Sequence, residues 1–319
     1  MDLADGILKG EPRAIARAMS LIESGDGLAQ NILQRIFLRT GHARIIGVTG
    51  APGSGKSTLV DKLASAYRRL SQSVGIVAVD PTSPFSGGAI LADRIRMQAL
   101  YGDEGVFIRS MATRGHLGGL AGATRDVVTV LDAAGKDVIL VETVGVGQGE
   151  IEISEMAHTC LVILVPGMGD ELQAFKAGIM EIGDIFVVNK ADRPQVEKLQ
   201  QELESILTLA VRSDSWRPPI VKTVATEGNG VPELMEAIGS FHQFQKSNEK
   251  TRNATSGAER NFLALLKDRL LEAAFKQAAI REKIEAAAQA VKARRTDPYT
   301  AADEIVGELQ KTGRLDLAE

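Results

Sequence analysis

Ile45-Ile46-Gly47-Val48-Thr49-Gly50-Ala51-Pro52-Gly53-Ser54-Gly55-Lys56-Ser57-Thr58 is the stretch that decides the fold. A short aliphatic run reads as a buried strand, passes into G-x-x-x-x-G-K-[ST], and gives way to a helical pattern. Each part of that loop has a physical reason. Gly50, Gly53 and Gly55 let backbone N–H groups close around phosphate oxygens, with Ala51, Pro52 and Ser54 completing the turn. The helix opening at Lys56-Ser57-Thr58 presents its positive N-terminal end to the same anion. Lys56 has the reach for the β- and γ-phosphates, and the Ser57 hydroxyl is placed to ligate Mg²⁺. The stretch predicts a nucleoside triphosphate site.

Outward from this loop, aliphatic runs alternate with helical patterns. The further candidate strands are 74–79, 106–109, 137–141, 161–165, 185–189 and 220–223, with the first strand at 44–49. Most are near-continuous Val, Ile and Leu, as expected of strands covered on both faces. Helical segments at roughly 57–71, 89–101, 119–133, 171–182, 194–211 and 231–246 fall between them. The order predicts an α/β fold with a doubly wound, mostly parallel sheet.

Both flanks have another texture. Residues 1–43 read as a helical extension, with Ile15, Ala18, Met19 and Ile22 on one helix and Leu28, Ile32, Leu33 and Ile36 on the next. The nucleotide domain is expected over 44–246 and a helical arm over 247–319. Within the arm, Leu263, Leu266, Leu270, Ala273, Ile280, Ile284, Ala287 and Val291 keep a heptad-like spacing, interrupted at Gln277. Such a seam must be buried, either on its own domain or in another subunit, and its length and isolation favour a dimerisation arm. Pro298 is expected to end this helix, with Thr300 and Asp303 boxing the start of a last one.

Several acids stand at strand ends. Val138-Ile139-Leu140-Val141-Glu142 ends in a carboxylate able to hold Mg²⁺ directly or through water, and Gly145 could sense the γ-phosphate through its N–H. Asp80 and Asp93 are further candidates for metal binding, water positioning or loop support. Ser83–Ala92 and Thr143–Glu150 are the expected γ-phosphate sensors, and 166–171 is a further candidate loop. For Arg114 and His116 a surface-turn role competes evenly with a functional one.

The base is read from Asn189-Lys190-Ala191-Asp192, after another apolar strand. An Asp192 carboxylate accepts from guanine N1–H and the exocyclic amine. Adenine would leave it unpaired, and a site built for a missing hydrogen bond rejects the analogue. Lys190 can lie along the base, while Asn189 ties the turn to the P-loop or touches the base edge. The loop at Ala225-Thr226-Glu227 occupies the place whose backbone N–H meets guanine O6.

Bulk properties exclude other classes. A net charge of −4 argues against a generic nucleic-acid or anionic-membrane binder. One cysteine, Cys160, rules out an intrachain disulfide, and with four His there is little material for a Cys/His metal site. Cys160 reads as a buried strand thiol. No apolar run suffices to span a bilayer, and a reducing cytoplasm is the expected compartment.

Gly50–Thr58, Ala78–Met97, Ser110–Leu120, Val141–Glu150 and Val188–Asp192 together resemble the methylmalonyl-CoA mutase-associated GTPases, the MeaB/ArgK group of SIMIBI-class P-loop proteins. Glu-x-x-Gly at 142–145 stands where most GTPases have Asp-x-x-Gly, which narrows the subfamily. The resemblance implies a homodimeric GTPase that serves adenosylcobalamin-dependent methylmalonyl-CoA mutase, gating cofactor delivery and protecting or reactivating the enzyme. It maps Mg²⁺ and catalysis onto Lys56, Ser57, Asp80, Asp93 and Glu142, and guanine contacts onto Asn189, Lys190, Asp192 and 225–227. The alternatives are an ATP-using kinase linked to amino-acid transport, opposed by the 189–192 motif, and a metal-delivery GTPase, opposed by the scarcity of Cys and His. A protein-targeting GTPase would want a Met-rich domain, and a vestigial scaffold would lack the acids and lysine present here.

Overall fold

The structure is a computed structural model. It describes residues 2–80, 100, 102–112, 119–143, 153–154, 156–167, 179–209 and 215–248, and in the C-terminal part 262–263, 266, 270, 275 and 278–312. Residues 1–252 and 253–319 form two compact units.

In the first unit, seven strands make one sheet: β1 (Arg44–Gly50), β2 (Val74–Asp80), β3 (Val106–Ala112), β4 (Val138–Thr143), β5 (Thr159–Leu164), β6 (Ile185–Asn189) and β7 (Ile220–Thr223). Their order is β3-β2-β4-β1-β5-β6-β7. Every pairing is parallel, so the expected mostly parallel sheet is parallel throughout. β1 lies between β4 and β5, where the winding changes direction, the place where open α/β sheets gather their ligands.

The helices are α1 (Leu3–Leu8), α2 (Pro12–Ser24), α3 (Gly27–Ile36), α4 (Lys56–Arg69), α5 (Gly119–Ala133), α6 (Ile179–Ile182), α7 (Val196–Leu209) and α8 (Val231–Asn248). Alternate strand residues face opposite layers. Ile46, Val48, Ile76, Leu140, Ile163 and Val187 pack with Leu59 and Leu63 of α4 and Leu234 and Ile238 of α8. Val77, Ile139 and Val141 pack with α5 and with Ile15, Met19 and Ile36 of the N-terminal helices. Val162, Phe186 and Val188 take Leu199 and Leu203 of α7. Full burial of each such side chain stabilises by about 1.5–3 kcal/mol.

α1 through α3 therefore share a core with the sheet. The Asp132 carboxylate at the end of α5 accepts from the N–H groups of Gly41 (2.6 Å), His42 (3.1 Å) and Ala43 (3.0 Å), just before β1. Arg109 of β3 donates to Glu23 of α2 at 2.6 Å. α2 and α3 match the two periodic runs, whereas α1, six residues capped by Asp2, was too short to show one. Gly41 follows a 3₁₀ turn at Phe37–Arg39 and carries φ +95°.

The second unit contains α9 (Ala278–Lys292) and α10 (Pro298–Thr312). α9 ends at Lys292, before Pro298, which opens α10. The expected Thr300–Asp303 box is not the cap. Asp297 Oδ1 accepts from the N–H groups of Tyr299 and Thr300, both at 3.0 Å, and Thr300 Oγ1 donates to Asp297 Oδ2 at 2.6 Å. A proline at the first helical position costs no hydrogen bond, so it starts a helix as readily as it stops one.

Candidate functional site

β1 delivers the phosphate loop. Gly50 has φ +145°, and a Cβ there would sit 2.3 Å from the Ile163 carbonyl oxygen of β5. Gly55 has φ +90° and caps α4 with no side-chain hydrogen bond, so the N-terminal amides of α4 are not taken by a cap side chain. Lys56 is buried, its Nζ donating to the carbonyls of Gly50 (2.7 Å) and Ala51 (3.0 Å). That anchors the ammonium across the loop, where phosphate oxygens would lie.

On the β4 side, Ser57 Oγ donates to Glu142 Oε1 at 2.6 Å. Glu142 is paired in register with Val48 of β1 and is buried. One residue further along β4, Thr143 Oγ1 donates to Thr49 Oγ1 at 3.2 Å, tying β4 to β1 behind the loop. A hydroxyl and a carboxylate are hard oxygen donors of the kind Mg²⁺ takes, so the pair fits that ion. Asp80 is the last residue of β2, its side chain outside the described residues. Asp93, Gly145, Arg114 and His116 also lie outside them, as do the helix expected at 89–101 apart from Leu100, the segment 83–92, 144–150 and the loop beyond Gly167.

One helical turn after Ser57, Asp61 is buried, and its Oδ1 has no hydrogen-bond partner among the described residues. Burial pushes its carboxyl above the usual range, with Lys62 pulling the other way.

The base side is interlocked. Asn189 Nδ2 donates to the Ser54 carbonyl at 2.8 Å, while its Oδ1 accepts from Thr223 Oγ1 (3.0 Å) and the Ala225 N–H (3.1 Å). The structure thus places Asn189 as a tie to the P-loop. Its amide lies so close to Gly55 that a Cβ there would be 2.4 Å from Nδ2. Gly55 is required by contact as well as by conformation. Lys190, in the left-handed region at φ +56°, reaches Gly53 O at 2.7 Å. Asp192 is exposed at the end of the same turn.

The 225–227 loop is closed by the Val224–Asn229 bridge, and Asn229 Nδ2 donates to Glu227 Oε2 at 2.7 Å. The hydroxyl bonds of Thr223, Thr49 and Thr143 were not foreseen from the sequence. A threonine ending an apolar strand was the available signal, but its partner is set only by the sheet order.

A P-loop at the switch point of a parallel sheet, with an acid opposite its serine and an N-K-x-D turn locked to its back, defines a P-loop GTPase. The family model described as methylmalonyl Co-A mutase-associated GTPase MeaB matches residues 15–279. A putative GTPase of Pyrococcus abyssi is 46% identical over 317 residues, covering 97% of this chain and 96% of its own. The methylmalonic aciduria type A homolog, mitochondrial, of Mus musculus is 32% identical, covering 94% of this chain and 77% of its own. The crystal structure of an LAO/AO transport system kinase superposes with a TM-score of 0.74 at 27% identity, covering 97% of this chain and 96% of that one. This chain belongs to the MeaB family of methylmalonyl-CoA mutase-associated GTPases.

Proposed function

We infer that this GTPase serves as a chaperone of an adenosylcobalamin-dependent methylmalonyl-CoA mutase, gating delivery of the cofactor and protecting or reactivating the enzyme. The family match over residues 15–279 carries this reading. The likeness to the mouse methylmalonic aciduria type A homolog supports it.

GTP would sit with its phosphates over Gly50–Thr58 and its base between Lys190 and the 225–227 loop. Asp192 would accept from N1–H and the amine, and Asn189 would brace the turn. Ser57, Asp93 and Glu142 are the proposed Mg²⁺ set, with Asp80 and Asp93 supporting the reaction and Gly145 reading the γ-phosphate. When bound, the ion supplies positive charge that stabilises the phosphates as the terminal bond breaks. Lys56 adds a second fixed charge and the α4 amides a third. GDP and phosphate are the products.

The protein acts in the cytoplasm as a homodimer joined through the 247–319 arm. Leu263, Leu266 and Leu270 of the heptad-like seam are exposed in the single chain, which supports a partner subunit there. No helix among the described residues is long and apolar enough to cross a membrane.

The test is GTP hydrolysis with Mg²⁺, with and without apo methylmalonyl-CoA mutase. Stimulation is expected. Hydrolysis indifferent to the mutase would overturn the partner. That the superposed structure is of a transport system kinase favours a second reading, an ATP-using enzyme. ATP outcompeting GTP for binding would favour it over ours.

A further inference from the structure

Thr223 closes β7 and is buried, as is Asn189. It meets the base turn twice. Its carbonyl accepts from the Ala191 N–H at 3.0 Å, next to Asp192, and its hydroxyl donates to Asn189 Oδ1 at 3.0 Å. The Ala225 N–H can only donate and the Ser54 carbonyl can only accept, so these two fix which end of the Asn189 amide is oxygen. The Thr223 hydroxyl then supplies the second donor to that oxygen. Both ends of the turn hang on one residue.

The same residue fixes the opposite wall. The loop from Val224 folds back so closely that a Cβ at Gly230 would lie 2.0 Å from the Lys222 carbonyl oxygen and 3.0 Å from Thr223 Cα. The base pocket is thus framed on either side by chain anchored at Thr223. Asp192 has no hydrogen bond of its own to hold it among the described contacts and depends on this frame for its aim.

We propose that Thr223 is a specificity-positioning residue: its hydroxyl holds the Asn189 turn so that Asp192 meets the 2-amino group of guanine. This rests on the assignment of the base to the 189–192 turn. Thr223→Val keeps the shape and removes the donor, leaving a buried amide oxygen short of a partner. Thr223→Ser keeps the donor.

The experiment measures GDP, IDP and ADP binding to wild type, Thr223→Val and Thr223→Ser in the full chain. IDP lacks only the 2-amino group, so the GDP:IDP affinity ratio reads the aim of Asp192, whereas general loosening would lower both affinities together. Thr223→Val is expected to bind GDP about tenfold more weakly with a smaller GDP:IDP ratio, and Thr223→Ser to restore both to about the wild-type values. An unchanged ratio in Thr223→Val overturns the proposal. If Thr223→Val does not fold, the same ratio in Thr223→Ala decides in the same way. Wild type binding GDP and ADP alike would instead sink the base assignment itself.

Discussion

The two sides of the P-loop are held in different ways. On the base side, five hydrogen bonds from Asn189, Lys190, Ala191, Thr223 and Ala225 join two separate segments of chain to each other and to Gly53 and Ser54. On the metal side, the described contacts are one hydroxyl–carboxylate pair, Ser57 with Glu142, and the Thr143–Thr49 bond behind it. The proposed base wall is interlocked by the protein's own hydrogen bonds. The other wall is made of oxygen donors of the kind Mg²⁺ takes, and on the proposed function its chemistry awaits nucleotide and ion.

The contrast is most severely tested at Lys56, which serves the phosphate side. Lys56→Ala is expected to lower GTP turnover by about a thousandfold, read by phosphate release, while the circular dichroism spectrum stays native. Wild-type turnover would refute the assignment of the phosphate site. A smaller effect belongs to the base wall. Asp192→Asn should weaken GTP binding by about a hundredfold and turn the preference towards xanthosine triphosphate, measured by competition. Guanine selectivity surviving intact would mean that the base lies elsewhere.

The smallest effect concerns Asp61, one turn behind Ser57. Its folded pKa is raised by burial, so its favourable contribution is fully present below the unfolded value, about 3.9, and is lost as pH rises through the folded one. At pH 7 the buried charge is a cost. Asp61→Asn should therefore be more stable than wild type at pH 7 by about 1 kcal/mol in urea unfolding, with the gap closing towards pH 4. A variant less stable at pH 7 would show that the charge is compensated.

Much of this was legible from residues alone. All seven strands announced themselves as aliphatic runs, because strands covered on both faces need no polar alternation. Strand ends were missed by a few residues: β3 runs on to Ala112 and β1 to Gly50, where polar or small residues continue the ladder. The P-loop and the Asn189 turn were legible because each is compact in sequence. Asp132 and Thr223 were not, because their partners lie 89–91 and 34 positions away and become neighbours only through the sheet order. The cap of α10 was misplaced for a local reason: Asp297 stands before a proline that reads equally as a stop or a start.

Asp132 has a consequence for what counts as the minimal nucleotide-binding unit. Its carboxylate gathers three consecutive amides from the segment leading into β1, so the strand that carries the phosphate loop is registered from upstream as well as by its neighbours. A chain begun at Arg44 would strand that carboxylate in a half-emptied interior and lay bare the apolar residues that α1 to α3 cover. The N-terminal helices are therefore a keystone: the enzyme cannot be reduced to its motifs.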